Sequence, residues 1–162
     1  MDLDFLKKVK LFKNLTEQEL KTFSSKLKLI KVKEKEIIIK DGELGDKLYI
    51  LYKGRVGISQ KITMLDEEEE RDKTFIVLSA KDFLFFGEIG LLESQKRTAT
   101  VTAYADCELY TLTRKDFMQI CKTYPSIGFR VIIEIALKLS HLVEKTNSDI
   151  LKLTTALIYA LR

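Results

Sequence analysis

Glycine is concentrated in the middle of this chain, and that placement restricts the possible folds more than any other feature. Six of the seven glycines fall between residues 42 and 90, and the single proline is Pro125. Glycine supplies the backbone angles that tight turns require. The distribution therefore predicts many short strands joined by turns in the middle of the chain, with helices toward both ends.

The hydrophobic pattern supports this division. From about residue 28, apolar side chains recur at every second position, which indicates strands with one buried face. The strand candidates are residues 29–32, 37–39, 48–52, 56–62, 74–78, 98–103 and 108–113. Short strands at this spacing are typical of an antiparallel sandwich or barrel. The charge run at 66–72 is expected to be a solvated hairpin loop.

Helix signals lie on both sides of the strand region. Thr16 and Glu19 have the spacing of a capping box, which predicts a helix from that point. Thr113 is the expected cap of a second helix that ends before Pro125. We therefore expect a first unit over residues 1–125 and a helical tail over residues 126–162.

The tail carries a seven-residue apolar repeat. Eight of its nine positions are apolar, namely residues 132, 136, 139, 143, 150, 153, 157 and 160, while Thr146 is polar. This repeat predicts a coiled-coil seam that forms a homodimer through the helix at 132–160. The alternative is an amphipathic helix that packs only on its own sheet, and a break near Asn147 stays open.

Composition excludes several classes of function. Lysine plus arginine exceeds aspartate plus glutamate by only four, so nothing favours a nucleic-acid partner. With two cysteines and one histidine, neither a disulfide framework nor a metal site is expected. No apolar run is long enough for a membrane span, and no catalytic motif appears. We expect a cytoplasmic protein that is not an enzyme.

The segment from Phe86 to Val101 is the most unusual stretch. Gly87 and Gly90 flank the carboxylate of Glu88, and Arg97 follows at the entry to a strand. An arginine can hold a phosphate through two parallel hydrogen bonds, and an ionised glutamate accepts bonds from sugar hydroxyls. From composition alone, a turn with a surface Glu–Arg pair is an equally good interpretation.

The same segment resembles the phosphate-binding cassette of the cyclic-nucleotide-binding domain family. That family includes catabolite-activator-type regulators and the regulatory subunit of cyclic-AMP-dependent protein kinase. The similarity extends over about residues 5–145, with one departure, Lys96 where many members have proline. Matching positions outside the cassette include Leu11, Phe12, Gly42, Gly45, Asp46, Tyr49, Gly54, Asp106 and Phe117.

The resemblance implies a fold and a site. The fold would be an antiparallel β-roll, with N-terminal helices and a long C-terminal helix. Arg97 would bind the cyclic phosphate, and Glu88 would bind the ribose hydroxyl. The expected ligand-binding residues are Gly87, Glu88, Ile89, Gly90, Arg97 and Thr98. Leu142 and Val143 are possible caps of the base, or equally residues of the seam or core.

The resemblance also implies a function, a cyclic-nucleotide sensor that signals through rearrangement of its C-terminal helix. Cyclic AMP is favoured over cyclic GMP, although a threonine such as Thr98 can contact guanine in this family. One alternative is the sensor fragment of a Crp/Fnr-type DNA-binding regulator. Another is a scaffold that has lost nucleotide binding and acts through its tail. The downstream protein partner is not indicated by the sequence.

Overall fold

Antiparallel sheets form the middle of the structure, a computed structural model that describes residues 2–62 and 71–161. The strands are β1 Lys28–Val32, β2 Ile37–Ile39, β3 Leu44–Gly45, β4 Lys47–Lys53, β5 Arg55–Ile62, β6 Arg71–Ser79, β7 Phe85–Phe86, β8 Gln95–Lys96, β9 Thr100–Ala103 and β10 Cys107–Thr113. One sheet has the order β1-β10-β4-β7, and the other has the order β2-β9-β5-β6. The strands β3 and β8 pair separately as a short ribbon. The predicted antiparallel β-roll is confirmed.

Helices lie at both ends of the strand region, as predicted. At the ends are α1 Leu3–Lys8, α2 Glu17–Ser24, α4 Arg114–Thr123 and α5 Pro125–Ala160, with a 3-10 turn at Lys10–Phe12. The short helix α3 Ile89–Leu92 and a 3-10 turn at Ala80–Asp82 lie between strands. The predicted capping box is present, because Glu19 accepts from the Thr16 amide at 2.9 Å and Thr16 accepts from the Glu19 amide at 3.3 Å. Thr113 caps α4 by accepting from the Asp116 amide at 3.1 Å.

Alternating side chains of the first sheet divide the core into two layers. Leu48 and Ile50 of β4 face the helices, where they join a cluster with residues of α1, α2, α4 and α5. Leu51 of the same strand and Leu109 of β10 face the second sheet, where they meet Val101 of β9. This period of two places one face of β4 and β10 against helices and the other inside the roll.

The 36-residue helix α5 has two distinct halves. Pro125 opens it, a position that suits proline because the first amides of a helix need no intrahelical partner. Ile127, Val131 and Ile135 are buried against the roll, whereas residues 141–161 are exposed throughout. The helix continues through Asn147 without a break. At 1.5 Å per residue its length is about 54 Å.

Hydrogen bonds and ion pairs join α5 to the N-terminal part of the chain. Glu134 is buried at 7% exposure, and it accepts from the Asn14 amide group at 2.6 Å and pairs with Lys13 at 3.2 Å. One turn earlier, Arg130 donates to both carboxylate oxygens of Glu19, at 2.9 and 2.7 Å. The buried carboxylate of Glu134 therefore has an opposite charge beside it, which a buried ion requires.

The expected hairpin loop at 66–72 lies largely outside the described residues. The strands on either side are paired, with Ile62 of β5 opposite Arg71 of β6. This pairing makes β6 longer than predicted, since it begins three residues before Thr74.

Candidate functional site

A cavity of about 130 Å³ opens beside the β3–β8 ribbon. It is walled by the ends of β2, β3 and β4 and by one residue that follows β8. The lining residues are Ile38, Ile39, Lys40, Glu43, Leu44, Gly45, Asp46, Lys47, Tyr49 and Arg97. Five of these ten residues are charged, so the cavity is a small, mainly polar concavity with Tyr49 as its aromatic member.

Backbone hydrogen bonds hold Arg97 at this wall. Its amide donates to the carbonyl of Glu43 at 2.8 Å, and its own carbonyl accepts from the amide of Gly42 at 2.9 Å. The preceding residue, Lys96, pairs with Leu44 in the ribbon. The turn before β3 therefore fixes where the Arg97 side chain leaves the backbone.

The guanidinium group of Arg97 is half-buried and bonded to main-chain oxygens. It donates to the carbonyl of Lys47 at 2.7 Å and to the carbonyl of Gly87 at 3.2 Å. Within the described part of the chain, Arg97 forms no ion pair with a carboxylate. Two of its five N–H donors are used in these bonds. The carboxylates of Glu43 and Asp46 line the same cavity, but neither forms an ion pair with Arg97 in the described residues.

Gly87 lies where only glycine fits. Its φ is +76°, in the left-handed region that side chains rarely adopt, and a Cβ would lie 2.9 Å from the carbonyl oxygen of Lys47. This conformation turns the carbonyl of Gly87 toward Arg97. The backbone of Gly87 is thus bonded directly to Arg97, while its predicted contact with a ligand stays a prediction.

Glu88 has a different environment from the one that the sequence suggests. Its side chain is 9% exposed, and its carboxylate pairs with the Lys138 ammonium of α5 at 2.9 Å. Lys138 also donates to the carbonyl of Phe85 at 2.8 Å and lies 4.4 Å from the centre of the Phe85 ring. Glu88 is not among the described residues that line the cavity. Its carboxylate therefore connects the cassette to α5.

The helix α3 is a single turn, and its second residue already has a partner. The amide of Gly90 donates to the carbonyl of Gly87 at 3.1 Å, and Ile89 is 42% exposed. Thr98 is exposed on the strand side of Arg97. Gly87, Gly90 and Arg97 are therefore brought together, while Glu88 is directed toward α5.

The two possible base caps lie on the exposed half of α5. Leu142 is 51% exposed and Val143 is 58% exposed, and neither lines the cavity in the described residues. The role of both residues as caps stays a prediction.

Of the residues that line the cavity, only Arg97 is among the predicted ligand-binding residues. Tyr49 lines the cavity and stacks on Phe86 at 5.4 Å with an angle of 10° between the rings. Burial raises the pKa of the Tyr49 hydroxyl, and the positive charge of Arg97 offsets only part of this increase. The hydroxyl is therefore neutral. Lys138 was also not predicted. It lies on the same helix face as the buried residues Val131 and Ile135, and a lysine at such a position indicates a buried partner.

The family of the chain follows from comparison with known proteins. The family model described as "Cyclic nucleotide-binding domain" matches residues 29–124, which is more than half of the chain. The chain belongs to the cyclic nucleotide-binding domain family. The match includes the whole cavity wall, the cassette and helix α4.

The relatives with described roles are longer proteins, and this chain matches only a part of each. The chain is 31% identical over 134 residues to the cAMP-activated global transcriptional regulator CRP of Escherichia coli O6:H1, covering 82% of this chain and 60% of the relative. It is 34% identical over 119 residues to the cGMP-dependent protein kinase, isozyme 1, of Drosophila melanogaster, covering 73% of this chain and 15% of the kinase. The chain thus spans about 60% or less of these relatives.

A solved structure shares the fold. The catabolite activator protein of Thermus thermophilus superimposes with a TM-score of 0.76 and 25% identity, covering 90% of this chain and 63% of that one.

Neither a membrane-spanning helix nor a metal-binding cluster occurs among the residues that the structure describes. No helix in them is long and apolar enough to cross a bilayer. No group of acidic, histidine or cysteine side chains within the same ranges has the arrangement of a metal site.

Proposed function

We propose that this protein is a non-enzymatic sensor that binds a cyclic nucleotide beside Arg97. The observation that carries the proposal is the guanidinium itself, a half-buried cation at a cavity wall with no carboxylate partner in the described residues. A singly charged phosphodiester supplies the missing charge and accepts two parallel N–H bonds from arginine.

The other proposed contacts with the nucleotide are those that the resemblance to the phosphate-binding cassette implies. The sugar would lie near the backbone of Gly87 and Ile89, and the amides of Gly90 and Thr98 would donate to the phosphate. The Gly90 amide would share its bond to Gly87 or give it up. Glu88 would accept from the ribose hydroxyl, in competition with Lys138. Exchange of that partner would couple the ligand to α5, because Lys138 belongs to that helix.

The volume of the cavity supports a conformational step. Pockets that enclose a drug-sized ligand are about 300–1,000 Å³, and this cavity is about 130 Å³. A whole nucleotide therefore requires the wall to open. The cassette reaches the wall through the bond of Gly87 to Arg97 and reaches α5 through the Glu88–Lys138 pair. A ligand that binds the open arrangement more tightly would shift the population of the two states and move α5. Leu142 and Val143 would then approach the base.

We favour cyclic AMP as the ligand, as the CRP relative is named for cAMP. Cyclic GMP remains the competing ligand, since another relative is named for cGMP and Thr98 is retained beside the arginine. A thermal-shift assay with cyclic AMP, cyclic GMP and 5′-AMP tests the proposal. At 100 times its Kd, a ligand of the folded state adds about 2.7 kcal/mol. For a domain of this size, that is a rise in Tm of about 5–10 °C.

We expect such a rise with at least one cyclic nucleotide and a much smaller one with 5′-AMP, whose phosphate carries no ring. If neither cyclic nucleotide changes the Tm at millimolar concentration, the protein has the fold of the family but does not bind its nucleotide. The scaffold function would then replace the sensor function.

The exposed face of α5 would form a homodimer. Ile132, Val143, Ile150, Leu153 and Leu157 are all at least 40% exposed, and they belong to the seven-residue repeat. Leu139, a member of the same repeat, packs instead against the core of its own chain. An apolar stripe of this length is typical of a surface that another copy covers.

The substitution Leu153→Asp is expected to convert the dimer to a monomer, because the charge enters the seam opposite its own copy. Light scattering coupled to size exclusion measures the mass. Thr155→Asp is the control, since it adds the same charge outside the repeat and is expected to leave the dimer intact. A parent protein that is already monomeric would contradict the proposed seam.

A second candidate is the sensor portion of a Crp/Fnr-type transcription regulator. It is supported by the CRP relative, of which the chain spans 60%. A gel-shift assay of the full gene product with cyclic AMP at physiological salt tests this function. We expect a sequence-specific complex if it is correct, and its absence would favour the sensor alone.

A further inference from the structure

The guanidinium group of Arg97 occupies the space where Gly45 has no side chain. A Cβ built on Gly45 would lie 1.8 Å from Nε, 2.2 Å from Cζ and 2.5 Å from Nη2 of Arg97. These are the three nearest atoms to that position, and all of them belong to the same side chain. The planar end of Arg97 therefore rests directly on the backbone of β3.

The conformation of Gly45 gives no reason of its own for glycine. Its φ lies outside the left-handed region that Gly42, Gly54 and Gly87 adopt. It sits in a short strand opposite Gln95, where alanine would fit the backbone. The absence of a Cβ matters only because of the arginine that lies against it.

The Arg97 guanidinium thus lies in a slot between Gly45 and Gly90. A side chain at Gly90 would also fill this slot, but it would meet backbone as well as Arg97. A Cβ there would lie 2.8 Å from Nη1 of Arg97 and 2.9 Å from the carbonyl oxygen of Gly45. The second contact is with backbone, so a side chain at residue 90 would displace the cassette itself. Gly45 is thus the position where the slot can be filled with the least disturbance to the fold.

We propose that Gly45 is a positioning residue, which holds the Arg97 guanidinium in its ligand-binding orientation by leaving room for it. This inference rests on the proposed function, in which Arg97 binds the cyclic phosphate. Filling the slot with one methyl group pushes the guanidinium away from the carbonyls of Lys47 and Gly87. The arginine would remain in the chain and keep its charge, but its N–H groups would no longer point along the cavity wall.

The test is the variant Gly45→Ala, measured by calorimetric titration with cyclic AMP. We expect an affinity at least about 10-fold weaker than that of the parent, which corresponds to loss of one charged hydrogen bond. The Tm is expected to stay at the parent value or rise slightly, because alanine restricts the unfolded chain and a flexible side chain can yield. Gln95→Ala is the control, since it changes the exposed residue that pairs with Gly45 in the ribbon and adds no atom beside Arg97.

A double-mutant cycle separates positioning from a general structural role. If Gly45 acts through the arginine, adding Gly45→Ala to Arg97→Ala leaves the affinity unchanged. Full additivity of the two substitutions would overturn the proposal, and so would parent-like affinity in Gly45→Ala. A parent that binds neither cyclic AMP nor cyclic GMP would instead contradict the proposed function, so the two failures are distinguishable.

Discussion

Replacing Arg97 with alanine is expected to weaken cyclic nucleotide binding by at least about 10- to 100-fold. One hydrogen bond between charged groups contributes roughly 1.5–3 kcal/mol, and the arginine would supply two such bonds to the phosphate. The effect is large because, among the described residues that line the cavity, the other two cations are more exposed than Arg97. Lys40 and Lys47 line the cavity, but both are exposed.

The fold should survive this substitution. Arg97→Ala removes two bonds to main-chain oxygens, at Lys47 and Gly87, at a half-buried position that water can reach. We expect a loss of about 1 kcal/mol in the free energy of unfolding. Arg97→Lys should bind with intermediate affinity, because it keeps the charge and loses the paired geometry.

Calorimetric titration and urea unfolding together measure both effects. Lys96→Ala is the matched control, since it removes a positive charge from the neighbouring exposed residue and should change the affinity by less than about threefold. Affinity in Arg97→Ala equal to that of the parent would refute the assignment of the phosphate to this side chain.

The second large effect is expected at the ion pair between α5 and the cassette. Lys138→Met removes the partner of Glu88 and leaves this glutamate, whose side chain is 9% exposed, without its counter-ion. Breaking a buried pair in this way costs about 3–5 kcal/mol. Because the Lys138 side chain is 35% exposed, we expect the lower end, about 3 kcal/mol in the free energy of unfolding.

The same variant should bind cyclic AMP more tightly, by roughly 10-fold. In the free protein the carboxylate of Glu88 is then unsatisfied, and the ribose hydroxyl supplies a donor without having to displace the lysine. The ligand therefore relieves part of the destabilisation, and the free protein is affected more than the saturated one.

A neutral pair provides the decisive control for this prediction. Glu88→Gln in the Lys138→Met background removes the unpaired charge, so it should recover much of the lost stability while losing the gain in affinity. Lys145→Met removes a charge from the exposed half of α5 and should change neither quantity. A double variant no more stable than Lys138→Met would contradict the account of Glu88 as a buried charge held by α5.

The sequence predicted the long elements because each has a periodic or capping signal. The capping box of Thr16 and Glu19, the alternation in β4 and the apolar repeat of α5 all appear as expected. The strands β3, β7 and β8 have two residues each, and two residues cannot show a period. These short strands position the cavity wall, so its construction was less predictable than the fold.

The start of β9 shows how local bonds override a pattern. Alternation suggested a strand from Thr98, but β9 begins at Thr100. The backbone of Arg97 is held by the turn at Gly42 and Glu43, and the carbonyl of Thr98 accepts from the Gln60 side chain at 2.6 Å. Pairing with β5 therefore begins later, opposite Ser59.

The direction of Glu88 could not be read from its neighbours in sequence. The motif placed a carboxylate near the arginine, and Arg97 does contact Gly87 and lie against Gly90. The carboxylate, however, is paired with a residue 50 positions away in the chain. Such a contact depends on where α5 crosses the cassette, which only the packed structure defines.

The central claim is tested most directly by a crystal structure of the protein grown with cyclic AMP. We expect the cyclic phosphate in the cavity at about 2.7–3.2 Å from the guanidinium nitrogens of Arg97, with Glu88 bonded to the ribose. A nucleotide bound elsewhere, with Arg97 still bonded only to the carbonyls of Lys47 and Gly87, would contradict it.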